Sequence, residues 1–188
     1  MAIDRVPLRE HPALFDKPIQ EMQVALAAGL QWLEHSFGRG ERLAKVVNGR
    51  KYYTPNIYVG KNDYRLITPD DRVGSYSFFM LEEPQEMEYE AGVNTRLTAP
   101  FSLIVWVDMR KASPDDTRDT EAVKRQILQV LNGGFLMRTG HYRITRIYDR
   151  AENVFDGFTM EETQNQFLMH PYTGWRFYGE LHINECLI

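Results

Sequence analysis

The sequence predicts an α+β fold, with a mostly antiparallel sheet and two principal helices packed on it. Three observations support this prediction. Apolar residues between positions 19 and 37 recur every three or four positions, as on one face of a helix, and a second such segment starts near Thr120. Stretches rich in β-branched and aromatic residues lie between and after these segments. Because strands dominate and do not alternate with helices, the order favours α+β over a repeated βαβ fold.

The first helix is predicted to run from Asp16 to Phe37. Asp16 can cap the free N–H groups at its start, and Pro18 is tolerated in its first turn. Gly38 is expected to end it. The apolar face would consist of Ile19, Met22, Leu26, Leu30, Leu33 and Phe37.

Short strands are predicted after this helix. Asn48 and Gly49 separate two β-rich segments and predict a hairpin, because both residues accept the positive φ of a type I′ turn. Residues 56–59, 64–67 and 76–81 are predicted to be further strands, with a turn at 68–71.

The strongest strand prediction is segment 101–107. It is apolar at odd and even positions alike, so a central strand that is covered on both faces is expected. A polar loop and a helix over 120–131 follow, and then a strand over 141–148. The positions of Ile144 and Ile147 indicate a β-bulge in that strand. The last strand, over 174–185, is predicted to have an apolar face and a polar face.

Length and composition predict one globular domain over residues 1–188, with an N-terminal arm (1–15) and an exposed acidic loop region (82–98). A formal net charge of -4 disfavours a dedicated nucleic-acid binder, because binding phosphates requires a basic surface. The single cysteine, Cys186, permits no intrachain disulfide. The first ten residues are charged and no long apolar run occurs, so neither a signal peptide nor a membrane span is predicted.

No catalytic residue, cofactor or metal site is predicted. The sequence contains no P-loop, no GxGxxG, no HExxH and no GxSxG motif. Two alternatives to a structural role remain open. An enzyme or small-molecule binder would have as first candidates His141, Asp149 and His170. A nucleic-acid-binding module would use the basic cluster Arg138, Arg143, Arg146 and Arg150.

The aromatic content, with 10 Tyr, 10 Phe and 3 Trp, favours contact with other protein chains, because aromatic residues and Met are enriched at interface cores. The alternative is that these residues complete the core of the domain itself. The acidic segment 82–90 is expected to be an exposed loop or edge. The candidate interface residues are Tyr52, Tyr53, Glu82, Glu83, Glu86, Glu88, Arg143, Arg146, Phe167, Met169, Tyr172 and Trp175.

The order of elements carries a resemblance to a known family. A strong strand, a polar loop, a helix, a strand and a final amphipathic strand follow an N-terminal helix and early strands. This layout resembles the phage tail terminator and tail-completion (head–tail joining) family. It is also similar to phage-like proteins of prophages, which share stretches such as Tyr58-Val59-Gly60, Gly74-Ser75-Tyr76-Ser77-Phe78-Phe79 and the segment 165–172.

The resemblance implies a virion structural protein and not an enzyme. Copies of the chain would form a homo-oligomeric ring, a hexamer in the virion, that caps a tail tube and joins it to the neck or head. Its partners would be other tail or neck proteins, without a membrane and without specific nucleic-acid binding, and DNA would pass through the ring. The protein would be made in the bacterial host cytoplasm. The acidic segment 82–90 would face the lumen or rim, where negative charge repels passing DNA.

Overall fold

A single mixed sheet with helices packed on it accounts for the described part of the chain. The structure is a computed structural model, and it describes residues 3–61, 63–67, 73–89, 95–113, 119–132, 137–159 and 171–185. Within those ranges the elements in chain order are α1 (Asp16–Gly29), β1 (His35–Val47), β2 (Arg50–Gly60), β3 (Asp63–Leu66), β4 (Tyr76–Leu81), β5 (Glu86–Tyr89), β6 (Thr95–Asp108), α2 (Met109–Ala112), α3 (Thr120–Asn132), β7 (His141–Tyr148), α4 (Ala151–Val154) and β8 (Tyr172–Glu185).

The strand order is β3-β2-β1-β4-β6-β8-β7, and β5 pairs with the first residues of β6. Every pair is antiparallel except β1 with β4, which run parallel. The predicted α+β class, with a mostly antiparallel sheet and two principal helices, is therefore confirmed.

The central strand β6 is buried on both faces, as predicted for residues 101–107. On one side, which we call the helix face, Leu103 and Val105 pack with the buried residues of α1 and α3. On the other side, which we call the aromatic face, Ile104 and Trp106 pack with rings that include Phe78. Alternate residues of one strand thus belong to two separate cores, because successive side chains point to opposite faces of a sheet.

The prediction for the first helix was wrong at its C-terminal end. The helix ends at Gly29, and β1 has already begun at His35. Leu33 remains buried on the helix face, but Phe37 lies in β1 and belongs to the core of the aromatic face. The apolar spacing of three and four continued past the helix by coincidence, and the pairing of β1 with β4 decided the structure of this segment.

Two local predictions are confirmed by the backbone. Asn48 and Gly49 have φ values of 50° and 77° and join β1 to β2 in a tight hairpin. In β7, the register with β8 shifts between Ile144 and Arg146, so Thr145 is the extra residue of a bulge. Opposite the bulge, a Cβ on Gly179 would collide with the carbonyl oxygen of Arg143, so the bulge requires glycine there.

The region 82–98 is only partly the exposed loop that was predicted. Residues 86–89 form β5 and pair with residues 95–98 at the start of β6, so backbone pairing orders both ends of the region. Several other predictions lie outside the described residues: the turn at 68–71, most of the polar loop after Ser113, and the candidates Phe167, Met169, His170 and Cys186.

Candidate assembly surfaces

The hairpin formed by β1 and β2 is the most exposed part of the described chain. All residues from 41 to 51 are exposed to solvent. Three large apolar side chains on it are 46%, 62% and 40% exposed, namely Leu43, Val46 and Val47. An isolated two-stranded hairpin is marginally stable in water, and exposed apolar side chains give it no core of its own. We call this hairpin the arm, and the described residues leave its apolar side chains uncovered.

The candidates Tyr52 and Tyr53 lie near the base of this arm and are half-buried. The backbone N–H of Tyr53 donates to Thr159 Oγ1 at 3.1 Å, and the Thr159 N–H donates to the Tyr53 carbonyl at 2.8 Å. The guanidinium of Arg42 lies 5.2 Å from the centroid of the Tyr53 ring. Tyr53 thus anchors the arm to the segment after α4.

The acidic strand β5 is exposed at all four of its residues. Met87 lies opposite Leu97, which packs against the core of the helix face, so Met87 and Tyr89 are on that side of the sheet. Their exposed fractions are 49% and 77%. Glu86 and Glu88 point to the opposite side. Each face of β5 therefore presents one chemistry, apolar on the helix face and acidic on the other.

Glu82, another candidate, is engaged within the chain. Its Oε1 accepts hydrogen bonds from Arg176 Nη2 at 2.5 Å and from Ser102 Oγ at 2.9 Å. Arg176 also donates from Nε to Ser102 Oγ at 2.8 Å and from Nη1 to the Asp156 carbonyl at 3.0 Å. Glu83 is exposed and takes no part in this cluster. Glu82 is accordingly a structural residue and not a free acidic group.

The burial of Arg176 shows that the polar face predicted for the last strand is covered at this position. Only 8% of this residue is exposed, because the segment after α4 covers it. A polar cavity of about 490 Å³ lies beside it, between the base of the arm and the end of β4. Its lining includes Arg39, Arg42, Glu83 and Asp156.

The basic strand β7 forms the opposite edge of the sheet, and no strand of the described residues pairs with its outer side. Because of the bulge at Thr145, residues of β7 that lie on the same face on either side of it are three positions apart. Ile144 and Ile147 lie opposite Gly179 and Phe177 and point to the helix face.

The two candidate arginines of β7 lie on the other side of the strand. Arg143 and Arg146 are opposite Glu180 and Tyr178, and both arginines are exposed. Hydrogen bonding to Tyr148 raises the pKa of the Arg146 guanidinium, which keeps it charged. The bulge that the sequence indicated therefore places both basic groups on one face.

A groove of about 530 Å³ runs between α3 and β7 on the helix face. Leu128, Ile144 and Ile147 give it an apolar floor, and Arg125 lies at its side. Ile147 is 39% exposed. The groove is therefore continuous with the open edge of β7.

Two aromatic candidates are parts of the protein's own packing. Trp175 is 1% exposed and lies in the core of the helix face, so its predicted interface role is corrected to a core role. Tyr172 stacks on Trp106 with 4.6 Å between ring centroids, and the Arg110 guanidinium lies 5.5 Å from the Tyr172 ring. For these residues the alternative interpretation of the aromatic content, completion of the core, applies.

Two of the three candidates for an enzyme, His141 and Asp149, do not come together. His141 stacks on His182 at the start of β7, with 4.6 Å between ring centroids. Asp149 follows the other end of that strand, about 25 Å away at the usual rise per residue. Burial lowers the pKa of His182, and the nearby His141 and Arg96 lower it further.

The basic cluster proposed for nucleic-acid binding follows the whole β7 edge. Arg138 precedes the strand and Arg150 follows it, and both are exposed. The basic cluster is therefore exposed along β7, and it borders the apolar groove described above.

Comparison with known proteins gives no family for this chain: no protein-family model matches it, and no curated protein is significantly similar to it. Among the described residues, no group of three or more His, Cys, Asp or Glu side chains is placed to hold a metal ion. No helix in the same ranges is long and apolar enough to cross a membrane.

Proposed function

We propose that this protein is a virion structural subunit of the tail terminator or tail-completion type. Copies of the chain assemble into a closed ring that caps a tail tube and joins it to the neck or head. The observation that carries the proposal is the exposed arm of β1 and β2, whose apolar side chains are left uncovered by the described residues. Burying such side chains is the main source of free energy in protein association.

The order of elements in the second half of the chain supports the same proposal. The strand β6, the helix α3 and the strands β7 and β8 follow in the order that the resemblance requires. A ring forms when each subunit offers one surface to the next and a different surface to the previous subunit. An arm at one side of the sheet and an open basic edge at the other are two different surfaces of this kind.

The experiment measures the mass of the purified chain by light scattering over a range of concentrations, with electron microscopy of the heaviest species. We expect a mass of several subunits and ring-shaped particles. The test variant is Leu43→Thr/Val46→Thr/Val47→Thr, which retains β-propensity and removes apolar surface. This variant is expected to shift the population to monomer.

The matched control is Leu8→Thr/Val24→Thr, since these side chains are exposed to a similar degree, 43% and 45%, outside the arm. The control is expected to assemble as the wild-type chain does. A wild-type chain that stays monomeric at all concentrations, with and without tail tubes, overturns the proposal.

A further inference from the structure

Two of the open edges of the sheet, β5 and β7, are opposite in charge and lie at the two ends of the strand series β5-β6-β8-β7. The acidic β5 pairs with β6 on one side only, because β1 leaves β4 after the Arg39–Phe79 pair and no described strand borders β5 there. The basic β7 pairs with β8 on one side only. Backbone N–H and C=O groups on an open edge are ready to pair with another chain.

We infer that β5 of one copy pairs antiparallel with β7 of the next copy, so that the sheet continues from subunit to subunit. This inference rests on the proposed ring and names a contact between its subunits in addition to the one that the arm makes. The open edge at β5 and the open edge at β7 each pair with another copy of this chain.

Strand direction supports this contact. The pairs β5–β6, β6–β8 and β8–β7 are all antiparallel, so β7 runs opposite to β5. A neighbour related by rotation about an axis tilted to the strands, as in a closed barrel, broadly keeps its strand directions and is offset along them. Its β5 therefore lies antiparallel to β7 of the first copy, which is the favourable hairpin-like geometry.

On each face of the joined sheet, the side chains of β5 are chemically complementary to those of the neighbouring β7. Within one copy, Glu86 and Glu88 are level with Thr98 and Arg96, whereas Arg143 and Arg146 are level with Pro100 and Ser102. A neighbour offset by this difference along the strands brings its Arg143 and Arg146 beside Glu86 and Glu88 on one face. Opposite charges on paired strands stabilise the pair.

On the helix face, the apolar residues of β5 meet the apolar edge of β7. Met87 and Tyr89 come beside Ile144 and Ile147, at the mouth of the groove between α3 and β7. The groove is large enough for aromatic side chains, and Tyr89 is the most exposed of the large apolar residues of the described chain. Filling the groove would bury apolar surface on both copies.

Charge also disfavours the symmetric alternatives. A twofold β7–β7 contact would place arginine beside arginine, and a twofold β5–β5 contact would place glutamate beside glutamate. Like charges in direct contact destabilise an interface. The two edges therefore favour a head-to-tail contact over a twofold dimer, as a ring requires.

The test uses two charge-reversed variants of the full chain. Variant A is Glu86→Lys/Glu88→Lys, and variant B is Arg143→Glu/Arg146→Glu. All four side chains are exposed, so both variants are expected to fold, which far-UV circular dichroism and thermal melting check. Each variant alone places like charges at every contact, and we expect its self-association to weaken at least about tenfold.

Mixing the two variants restores opposite charges at every contact of an alternating ring. Lysines of A then face glutamates of B, and glutamates of B face arginines of A. The equimolar mixture is expected to assemble as the wild-type chain does. The control for variant A is Glu10→Lys/Glu152→Lys, which makes the same change in net charge at exposed positions outside β5 and β7 and should assemble normally.

The outcomes separate this inference from the proposed function. Variants A and B that assemble alone, or a mixture that stays monomeric, overturn the β5–β7 contact and leave the ring to be formed by other surfaces. A wild-type chain that never assembles overturns both. Loss of assembly in each variant together with recovery in the mixture supports both.

Discussion

The central strands and the arm of β1 and β2 are both β-structure and have opposite environments. Strands β6 and β8 share fourteen register pairs, from Thr95–Glu185 to Asp108–Tyr172, and β6 is covered on both faces. The arm is exposed throughout residues 41–51. The comparison teaches that β-propensity forms both regions but burial stabilises only one within the chain. Among the described residues, none gives the arm comparable burial.

The largest expected difference is between an apolar truncation in the central strand and one in the arm. Leu103→Ala removes a side chain that is 1% exposed and is expected to lower the free energy of unfolding by about 3 kcal/mol. Val46→Ala, at a residue that is 62% exposed, is expected to change it by less than about 0.5 kcal/mol. Urea unfolding at low protein concentration measures both. Equal losses would mean that the arm is packed in the free chain.

A second substitution breaks the junction between the two regions. Arg176→Met leaves Glu82 without its cation and the Asp156 carbonyl without its donor. We expect a loss of about 3 kcal/mol in urea unfolding, because removing one partner of a buried ion pair leaves an uncompensated charge. The double variant Arg176→Met/Glu82→Leu is the control and should recover much of the loss. No recovery would contradict the assigned pairing.

A smaller effect of opposite sign is expected on the aromatic face. Tyr76 is fully buried, its pKa is raised well above the ordinary value by burial, and its hydroxyl has no hydrogen-bond partner among the described residues. Tyr76→Phe is therefore expected to raise the free energy of unfolding by about 1 kcal/mol. The matched control is Tyr142→Phe, which removes a hydroxyl that donates to the Leu131 carbonyl and should lower stability. Destabilisation by both variants would refute the assignment.

The smallest effect concerns pH. The pKa of His182 is lowered from 6.5, chiefly by burial and further by His141 and Arg96, so the unfolded chain binds the proton more readily than the folded chain. The resulting stability is present above pH 6.5 and is lost as the pH falls through that value toward the lower folded pKa. His182→Gln should flatten the decline in melting temperature between about pH 7 and 5. His11→Gln, at an exposed site, should not flatten it.

Much of the fold was predictable where a local pattern coincides with the final packing. The Asn48-Gly49 turn, the buried strand around Leu103 and the helix from Thr120 all have such patterns, and the structure confirms them. The bulge near Ile144 was also predicted from spacing alone. The end of α1 was not predicted, because the apolar spacing of the helix continues into β1. The pairing of β1 with β4 places Phe37 in a strand, in the core of the aromatic face.

The candidate surfaces were predicted less completely, because they depend on contacts distant in sequence. Glu82 and Glu86 belong to one acidic stretch, yet only Glu82 meets Arg176, which is 94 positions away. Periodicity placed Arg176 on a polar face and could not show that the segment after α4 would cover that face. Arg143 and Arg146 were identified as a pair, but the shared face and the apolar groove behind it follow from the register with β8.

The Arg176 cluster has a mechanical consequence. The arm is held at Tyr53 by Thr159, the chain from Thr159 leads back to Asp156, and Arg176 links Asp156 to Glu82 just before the acidic strand. A displacement of the arm therefore pulls on the support of β5, and the two cannot shift independently. A subunit whose arm has been seated by a neighbour would present a stiffer acidic edge to the basic edge of that same neighbour, which couples the two parts of one subunit contact.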